Sequence, residues 1–372
     1  MIIVMDPAFI PSDLLAVVQR GEQNHLTPQV IDGESLTVVA MKGDVSRVDP
    51  GMFSELPGVS KVELISAPYP SIVRLVGGST GVYRATQTVQ LGPDCVIGAG
   101  RPVIIGGPCS IASEEQFEAI AAGLKAVGAD GLRGGAFKPR TGPYGFQGLG
   151  LPGLEILRRV GQSVGLPTAT EATGAFRCEV NGRNRPLTPD DAKRVKASRV
   201  KVMEAVIAAA DLPWIGARNG QSFDLIQAAA IEAIISGKPL MLKRGPWMSI
   251  NEYLLALEYI ARLGCPVVAC LRGVGRHDVF RYKPDTADIQ IIKRETIVPV
   301  LADPSHMVGR WKDVESVAEQ ALVAGADGLL IEVSTDRTKE KTDGDQAIDP
   351  KTFGRIVRFA HDLQASRVKA TV

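Results

Sequence analysis

The sequence predicts an α/β protein, in which a closed (β/α)8 barrel of the TIM type follows a small α+β domain. Its length of 372 residues suggests two units, or one large barrel with an appendage. From residue 102 onward, short apolar segments alternate with helix-length segments. Before that point the rhythm is different, which indicates a separate first unit.

The first predicted unit, residues 1–70, is a small α+β domain. Apolar, strand-like segments alternate with short segments of helical spacing, an order that suits a split βαβ sandwich. The predicted strands are Met1–Met5, Thr27–Ile31, Ser35–Met41 and Val62–Ser66, and the predicted helices are Ser12–Arg20 and Asp49–Leu56. Pro68 and Pro70 then mark a linker, and residues 71–101 are predicted to contain a hairpin made of Thr86–Gly92 and Cys95–Gly98.

The predicted barrel covers residues 102–372. Eight βα units in about 260 residues fit a closed parallel barrel better than an open sheet, because both the number of units and the size match. The predicted strands are Val103–Gly106, Gly131–Ala136, Thr168–Ala172, Trp214–Ala217, Leu240–Lys243, Val267–Leu271, Val298–Ala302 and Leu329–Val333.

One predicted βα unit is irregular. A polar stretch, residues 177–186, follows the third strand, and a helix is predicted after it at Pro189–Ala209, with its N-cap at Thr188. Loops of this kind lie on the catalytic face of a barrel. The stretch is therefore a candidate lid or subunit contact.

Composition excludes several classes of protein. Lys plus Arg (42) and Asp plus Glu (41) give a formal charge of +1, so there is no bulk electrostatic reason to bind nucleic acid or an anionic membrane. The apolar stretch at Met1 has no basic leader, and no apolar run approaches the roughly 20 residues that span a bilayer, so we expect a cytoplasmic protein. Five cysteines are few for a chain of this length, and an odd number cannot all pair within it, so we expect no disulfide framework.

Basic residues recur where the predicted strands end. The C-terminal ends of barrel strands converge on the active site, so a concentration of cations there indicates a pocket for a polyanion. This many cations suits two phosphates, or a phosphate and a carboxylate. Each residue taken singly has the alternative interpretation of a solvated surface charge. The six are Arg133, Lys138, Arg140, Arg218, Lys243 and Arg272.

A second set of strand-end residues has metal-ligand chemistry: Cys109, His306, Glu332 and Asp343. One thiolate, one imidazole and two carboxylates suit a borderline divalent ion such as Mn, Fe, Co or Zn. The four are scattered along the chain and have no local metal-binding spacing. Cys109 as a small buried residue and His306 as a hydrogen-bonded loop histidine are equally good interpretations.

Seven short motifs lie along the predicted barrel. They are Gly-Gly-Pro-Cys-Ser from 106, Lys-Pro-Arg-Thr from 138, Gly-Phe-Gln-Gly-Leu-Gly from 145, Gly-Ala-Arg-Asn from 216, Leu-Lys-Arg-Gly from 242, Asp-Pro-Ser-His from 303 and Ile-Glu-Val from 331. Taken together, they resemble the 3-deoxy-D-arabino-heptulosonate 7-phosphate (DAHP) synthase family, which acts first in the shikimate pathway. The resemblance covers nearly the whole chain, including the first domain, which is similar to the ferredoxin-like regulatory module of a short-chain subclass. The octulosonate 8-phosphate synthases share the barrel but lack the Lys-Pro-Arg-Thr run.

The resemblance implies a transferase that condenses phosphoenolpyruvate with erythrose 4-phosphate to give DAHP and phosphate. It implies a divalent metal, Mn or alternatively Fe, Co or Zn, held by Cys109, His306, Glu332 and Asp343. Arg140 and Thr141 would bind the aldose phosphate. Lys138, Glu171 and His306 would be catalytic. The implied phosphoenolpyruvate ligands are Arg133, Lys138, Glu171, Arg218, Lys243 and Arg272.

Two departures leave alternatives open. Family members usually carry Glu before the strand-six arginine, where this chain has Leu271, and the stretch at 177–186 is absent from compact members. A different aldose phosphate, in specialised metabolism, is therefore the runner-up. A non-catalytic regulatory barrel is a third possibility. The family also leads us to expect a homo-oligomer, a dimer or tetramer, and an aromatic effector at the first domain.

Overall fold

The structure is a computed structural model, and it describes residues 1–33, 35–43, 45, 48–63, 68–76, 82–139, 142, 144–174, 188–197 and 201–371. The chain divides into two compact units, Met1–Tyr83 and Arg84–Val372. None of the helices in the described ranges is both long and apolar enough to cross a membrane.

The first unit contains an antiparallel sheet with the strand order β2-β3-β1-β4. Ile3, Val17 and Phe53 are buried in its core, where one face of the sheet meets the helices. Helix α2 is shorter than the predicted Asp49–Leu56 because Pro50 and Pro57 bracket it, and proline ends a helix. The elements are β1 (Ile2–Met5), α1 (Pro11–Gln23), β2 (Thr27–Asp32), β3 (Thr37–Lys42), α2 (Gly51–Ser54), β4 (Val59–Glu63), β5 (Leu75–Val76) and β6 (Val82–Tyr83).

The second unit opens with the hairpin of β7 (Val89–Gly92) and β8 (Cys95–Ile97). Val89, Cys95 and Ile97 are buried in the same apolar cluster as the residues that fill the barrel. The hairpin therefore extends the barrel core.

Eight parallel strands in the described part of the second unit close into a barrel, which confirms the predicted fold class. Strand β16 pairs with β9 through five residue pairs, from Gly328 with Val103 to Glu332 with Gly107, and this pairing closes the ring. The strands are β9 (Val103–Gly107), β10 (Gly131–Arg133), β11 (Thr168–Ala172), β12 (Leu212–Ile215), β13 (Leu240–Lys243), β14 (Val267–Leu271), β15 (Val300–Ala302) and β16 (Gly328–Glu332).

Strand β4 begins at Val59, three residues before the predicted Val62. Within the barrel, two strands differ most from their predicted bounds. Strand β10 ends at Arg133 rather than Ala136, because the chain turns there towards β9, and a side chain at Gly135 would lie 2.6 Å from the carbonyl oxygen of Cys109. Strand β12 begins at Leu212 and ends at Ile215, so the predicted Trp214–Ala217 was displaced by two residues. Arg133 is therefore the last residue of β10, and Arg218 lies three residues beyond the end of β12.

Helices surround the barrel. The predicted single helix at Pro189–Ala209 is described as two helices, α5 and α6, with residues 198–200 outside the described ranges. Thr188 is the N-cap of α5, as predicted, because its hydroxyl accepts from the backbone N–H of Asp191 at 3.2 Å. The helices are α3 (Glu114–Ala126), α4 (Leu151–Val164), α5 (Pro189–Ala197), α6 (Val202–Ala209), α7 (Phe223–Ile235), α8 (Ile250–Ala261), α9 (Thr286–Glu295), α10 (Pro304–Val308), α11 (Trp311–Val323) and α12 (Pro350–Thr371).

Candidate active site

A cavity of about 280 Å³ lies at the C-terminal ends of the barrel strands. Its lining includes five of the six predicted cations: Arg133, Lys138, Arg218, Lys243 and Arg272. The sixth, Arg140, lies outside the described residues together with Thr141 and the candidate lid at 177–186. Glu171, His306 and Asp343 line the same cavity. Residues at the ends of six strands, β10 to β15, and Asp343 from the loop after β16 thus meet in one place.

Buried hydrogen-bond donors without partners lie around this cavity. Arg133 is 1% exposed, and its Nε and Nη1 atoms have no hydrogen-bond partner among the described residues, nor does Nε1 of Trp214. An unsatisfied buried donor costs about 1–3 kcal/mol, so native proteins rarely contain one without a reason. An anion bound in the cavity would supply acceptors to such donors.

Trp214 lies between two of the cations. The guanidinium carbon of Arg133 is 5.5 Å from the centre of the indole ring, and Nζ of Lys243 is 4.9 Å from it. Both distances fall within the range of cation–π attraction. Trp214 belongs to the apolar cluster inside the barrel, so the ring forms a floor on which two buried cations rest.

Glu171 occupies space that a side chain at position 216 would fill. A Cβ atom on Gly216 would lie 1.9 Å from Oε1 of Glu171. This glycine therefore permits the carboxylate of β11 to lie against the end of β12, beside Arg218.

Cys109, His306 and Asp343 come together as a group that could hold a metal ion. Their ligand atoms all lie within 4.8 Å of one another. The Cys109 thiol donates to Oδ2 of Asp343 at 3.0 Å, and Nζ of Lys138 donates to the same sulfur at 3.1 Å. Asp343 has a φ of 50°, a strained left-handed conformation for a residue with a side chain.

Glu332, the fourth predicted ligand, lies beside this group. Its Oε1 atom is 3.5 Å from Nε2 of His306. The carboxylate also accepts hydrogen bonds from Nη2 of Arg133 at 3.1 Å and from Nε2 of Gln346 at 2.6 Å. Glu332 therefore touches both the metal-ligand group and the cations.

The charges of these groups are set by burial and by their neighbours. Burial lowers the pKa of His306, so the imidazole is neutral at neutral pH, the form that ligates metals. Burial would raise the pKa of Asp343, but the hydrogen bond from Cys109 and the interactions with His306 and Lys138 lower it to about 2. Burial raises the pKa of the Cys109 thiol, and the charge of Glu332 adds to that effect.

Sequence reasoning missed several cavity residues. Arg281, Tyr282 and Trp214 line the cavity. Gln346 hydrogen-bonds to Glu332, and Asp303 hydrogen-bonds to His306. Asp303 belongs to the Asp-Pro-Ser-His motif, so it is the one of these five residues that the sequence could have indicated. The others carry no local pattern.

Leu271, the departure noted in strand six, does not face the cavity. Its neighbour Cys270 belongs to the apolar cluster inside the barrel, and successive residues of a strand point to opposite faces. Leu271 is fully buried on the helix side of β14. This finding removes the reason to connect Leu271 with substrate choice.

Two protein families match this chain, and curated proteins are similar to it. Residues 82–183 and 198–368 match the DAHP synthetase I family, and residues 1–67 match the DAHP synthase ferredoxin-like domain. A phospho-2-dehydro-3-deoxyheptonate aldolase of Thermotoga maritima is 34% identical over 360 residues, covering 96% of each chain. A 2-dehydro-3-deoxyphosphooctonate aldolase of Nitrobacter hamburgensis is 28% identical and covers 70% of this chain and 88% of its own.

A crystal structure of a phospho-2-dehydro-3-deoxyheptonate aldolase (DAHP synthase) from Thermotoga maritima is similar, with a TM-score of 0.80 and 33% identity over 98% of this chain and 97% of that chain. The N-terminal unit matches a ferredoxin-like domain, as the resemblance implied. The chain therefore belongs to the DAHP synthetase I family, transferases that act at the first step of the shikimate pathway.

Proposed function

We propose that this enzyme condenses phosphoenolpyruvate with erythrose 4-phosphate, with a divalent metal ion, and releases DAHP and phosphate. The observation that carries the proposal is the cavity lined by Arg133, Lys138, Arg218, Lys243 and Arg272. Two buried donors of Arg133 find no partner there in the part of the chain that the structure describes. Phosphoenolpyruvate carries a phosphate and a carboxylate, the pair of anions that such a set of cations suits.

The residues of the metal-ligand group fit a borderline divalent ion. Cys109, His306 and Asp343 offer one sulfur, one nitrogen and one oxygen within 4.8 Å of one another, and Glu332 is adjacent. Mn is our first choice, with Fe, Co and Zn as alternatives. When bound, the ion would act as a Lewis acid on the aldehyde oxygen of the aldose phosphate.

The proposed roles of the other residues follow from charge. The five cations bind and orient phosphoenolpyruvate so that its C3 faces the aldehyde carbon. A bond forms between C3 of phosphoenolpyruvate and the aldehyde carbon, whose oxygen takes up a proton. Water adds at C2 and gives up a proton, and phosphate leaves by cleavage of the bond between C2 and the phosphate ester oxygen. Positive charge develops at C2 during the attack, and the carboxylate of Glu171, at the cavity wall, stabilises it. Lys138 holds the water, and Arg140 and Thr141 bind the aldose phosphate.

The test is a direct assay of the purified protein. Phosphate release and heptulosonate formation are measured with Mn²⁺, phosphoenolpyruvate and erythrose 4-phosphate, and then with each component omitted. We expect product only when all three are present. Four- and five-carbon aldose phosphates are compared in the same assay, and a strong preference for one other than erythrose 4-phosphate would replace the proposed substrate.

Four further assignments belong to the proposal. We propose that residues 1–70 form the regulatory domain, residues 71–101 the linker and hairpin, and residues 102–372 the catalytic barrel. We also propose an aromatic effector at the first domain, a homo-oligomeric assembly and a cytoplasmic location. The match of residues 1–67 to a ferredoxin-like domain of DAHP synthases supports the first of these.

A further inference from the structure

We propose that Arg281 binds the aldose phosphate and contributes to the choice among aldose phosphates. The inference rests on the proposed condensation and adds a residue to its second substrate site. Arg281 and the adjacent Tyr282 line the cavity but belong to a loop after β14 that none of the quoted motifs includes.

The loop that carries Arg281 is fixed by backbone hydrogen bonds at both of its ends. Val274 and Lys283 exchange hydrogen bonds of 3.0 and 3.1 Å, which close the base of the loop. The backbone N–H groups of Arg281 and Tyr282 donate to the carbonyl oxygens of Val308 and Met307, at 3.0 and 2.9 Å. The loop therefore lies against α10, the helix that carries His306.

Two glycines allow the close packing of these side chains. Gly309 has a φ of 70°, and a Cβ atom there would lie 2.8 Å from Cβ of Arg281. Gly273 has a φ of 87°, and a Cβ atom there would lie 2.7 Å from Cβ of Tyr282. Both positions combine a backbone conformation that favours glycine with a close approach that excludes a side chain.

The side chain of Arg281 reaches the metal-ligand group. Its Nη1 atom donates to Oε1 of Gln346 at 3.0 Å and lies 3.6 Å from Oδ1 of Asp343. The guanidinium carbon is 5.8 Å from the centre of the Tyr282 ring, and that of Arg272 is 4.6 Å from the same ring. With 33% of its side chain exposed, Arg281 is oriented by these contacts and remains open to a ligand.

The contacts of Arg281 differ from those of Arg133 and Lys243, although Arg133 also bonds to Glu332 beside the metal-ligand group. Arg133 and Lys243 rest on Trp214 at the floor, inside the barrel, where we place phosphoenolpyruvate. Arg281 lies on the side of Asp343 and His306. The aldehyde must reach the metal ligands to react, so the aldose phosphate occupies this side. A planar guanidinium there can bind its phosphate or hydroxyl oxygens.

The test measures both substrates separately in Arg281→Met and Arg281→Lys. We expect Arg281→Met to raise KM for erythrose 4-phosphate about 10- to 100-fold, the effect of a lost charge-assisted hydrogen bond, without a change in the Kd of phosphoenolpyruvate. Arg281→Lys keeps the charge and should recover part of the loss. Relative rates with four- and five-carbon aldose phosphates should also change.

Arg158→Met is the matched control, because Arg158 is half exposed, pairs with Glu155 on α4 and does not belong to the cavity lining of the described residues. The control variant should leave the KM for erythrose 4-phosphate and the Kd of phosphoenolpyruvate unchanged. An unchanged KM for the aldose phosphate in Arg281→Met, an equal loss for phosphoenolpyruvate, or a weaker Kd for Co²⁺ would each overturn the inference. A wild-type protein that binds Co²⁺ and phosphoenolpyruvate but consumes no aldose phosphate would instead overturn the proposed function, and the inference with it.

Discussion

Asp303 and His306 are joined twice. The backbone N–H of His306 donates to Oδ1 of Asp303 at 3.1 Å, and Nδ1 of the imidazole is 3.0 Å from the same oxygen. The pKa of Asp303 lies well below its usual value, because its interactions with His306 and Lys243 outweigh the effect of burial. The carboxylate is thus an acceptor, Nδ1 carries the proton, and Nε2 is free for a metal ion.

This relationship predicts that Asp303→Asn weakens metal binding. The Kd for Co²⁺ or Mn²⁺ should rise about 10- to 100-fold, the usual effect of removing a carboxylate that orients a ligating histidine. Isothermal titration calorimetry, in which the ion is added to the metal-free protein, measures this Kd. Asp313→Asn, a change at a surface ion pair, is the control, and equal affinities in the two variants would contradict the orienting role.

Cys109→Ala should abolish metal binding and turnover while the fold stays intact. The thiol is buried and supplies the sulfur of the metal-ligand group. Cys265→Ala removes another buried thiol, one that is not in this group, and should leave both properties unchanged. Circular dichroism and Tm establish that each variant is folded. Normal turnover in Cys109→Ala would exclude the proposed metal site.

Trp214→Phe should weaken phosphoenolpyruvate binding. Phenylalanine keeps a ring under Arg133 and Lys243 but attracts cations less than indole and has no N–H donor, so we expect a roughly three- to tenfold higher Kd. Tryptophan emission should change when phosphoenolpyruvate binds to the wild type, and this change should be lost in the variant. Trp311→Phe, whose ring contacts Arg337 instead, should retain the emission change. An emission change of the same size in both variants would show that Trp214 does not lie at the phosphoenolpyruvate site.

Asp285 should make the barrel less stable as pH rises from about 4 to 6. Burial raises the pKa of this carboxyl from 3.8 to about 6, although the charge of Arg244 opposes the shift. The folded state then holds the proton more tightly than the unfolded chain, so the free energy of unfolding falls through this window, by up to about 3 kcal/mol.

Asp285→Asn should flatten this part of the pH profile, because the amide does not titrate. Urea unfolding followed by tryptophan emission reports on the second unit alone, since Trp214, Trp247 and Trp311 all lie in it. Asp313→Asn should keep the wild-type slope. A wild-type slope in Asp285→Asn would show that other groups cause the pH dependence.

The barrel could be predicted from the sequence because its strands are short, apolar and bounded by turn residues. Thr168–Ala172, Leu240–Lys243 and Val267–Leu271 were predicted with the bounds that the structure gives. The parallel order also fixes which strand ends meet, so the placement of Arg133, Lys243 and His306 in one cavity followed from position alone.

Tertiary structure decided the rest. Arg281 and Gln346 enter the site through loops whose course depends on backbone hydrogen bonds to distant segments, and no periodicity records such contacts. The unsatisfied donors of Arg133 and the position of Trp214 depend on which side chains pack inside the barrel. Sequence by itself determined the strands, the charges that they carry and the ligand types, because these depend on local pattern and residue chemistry. Only the folded chain decided which groups touch, because hydrogen bonds and packing join residues that are far apart in sequence.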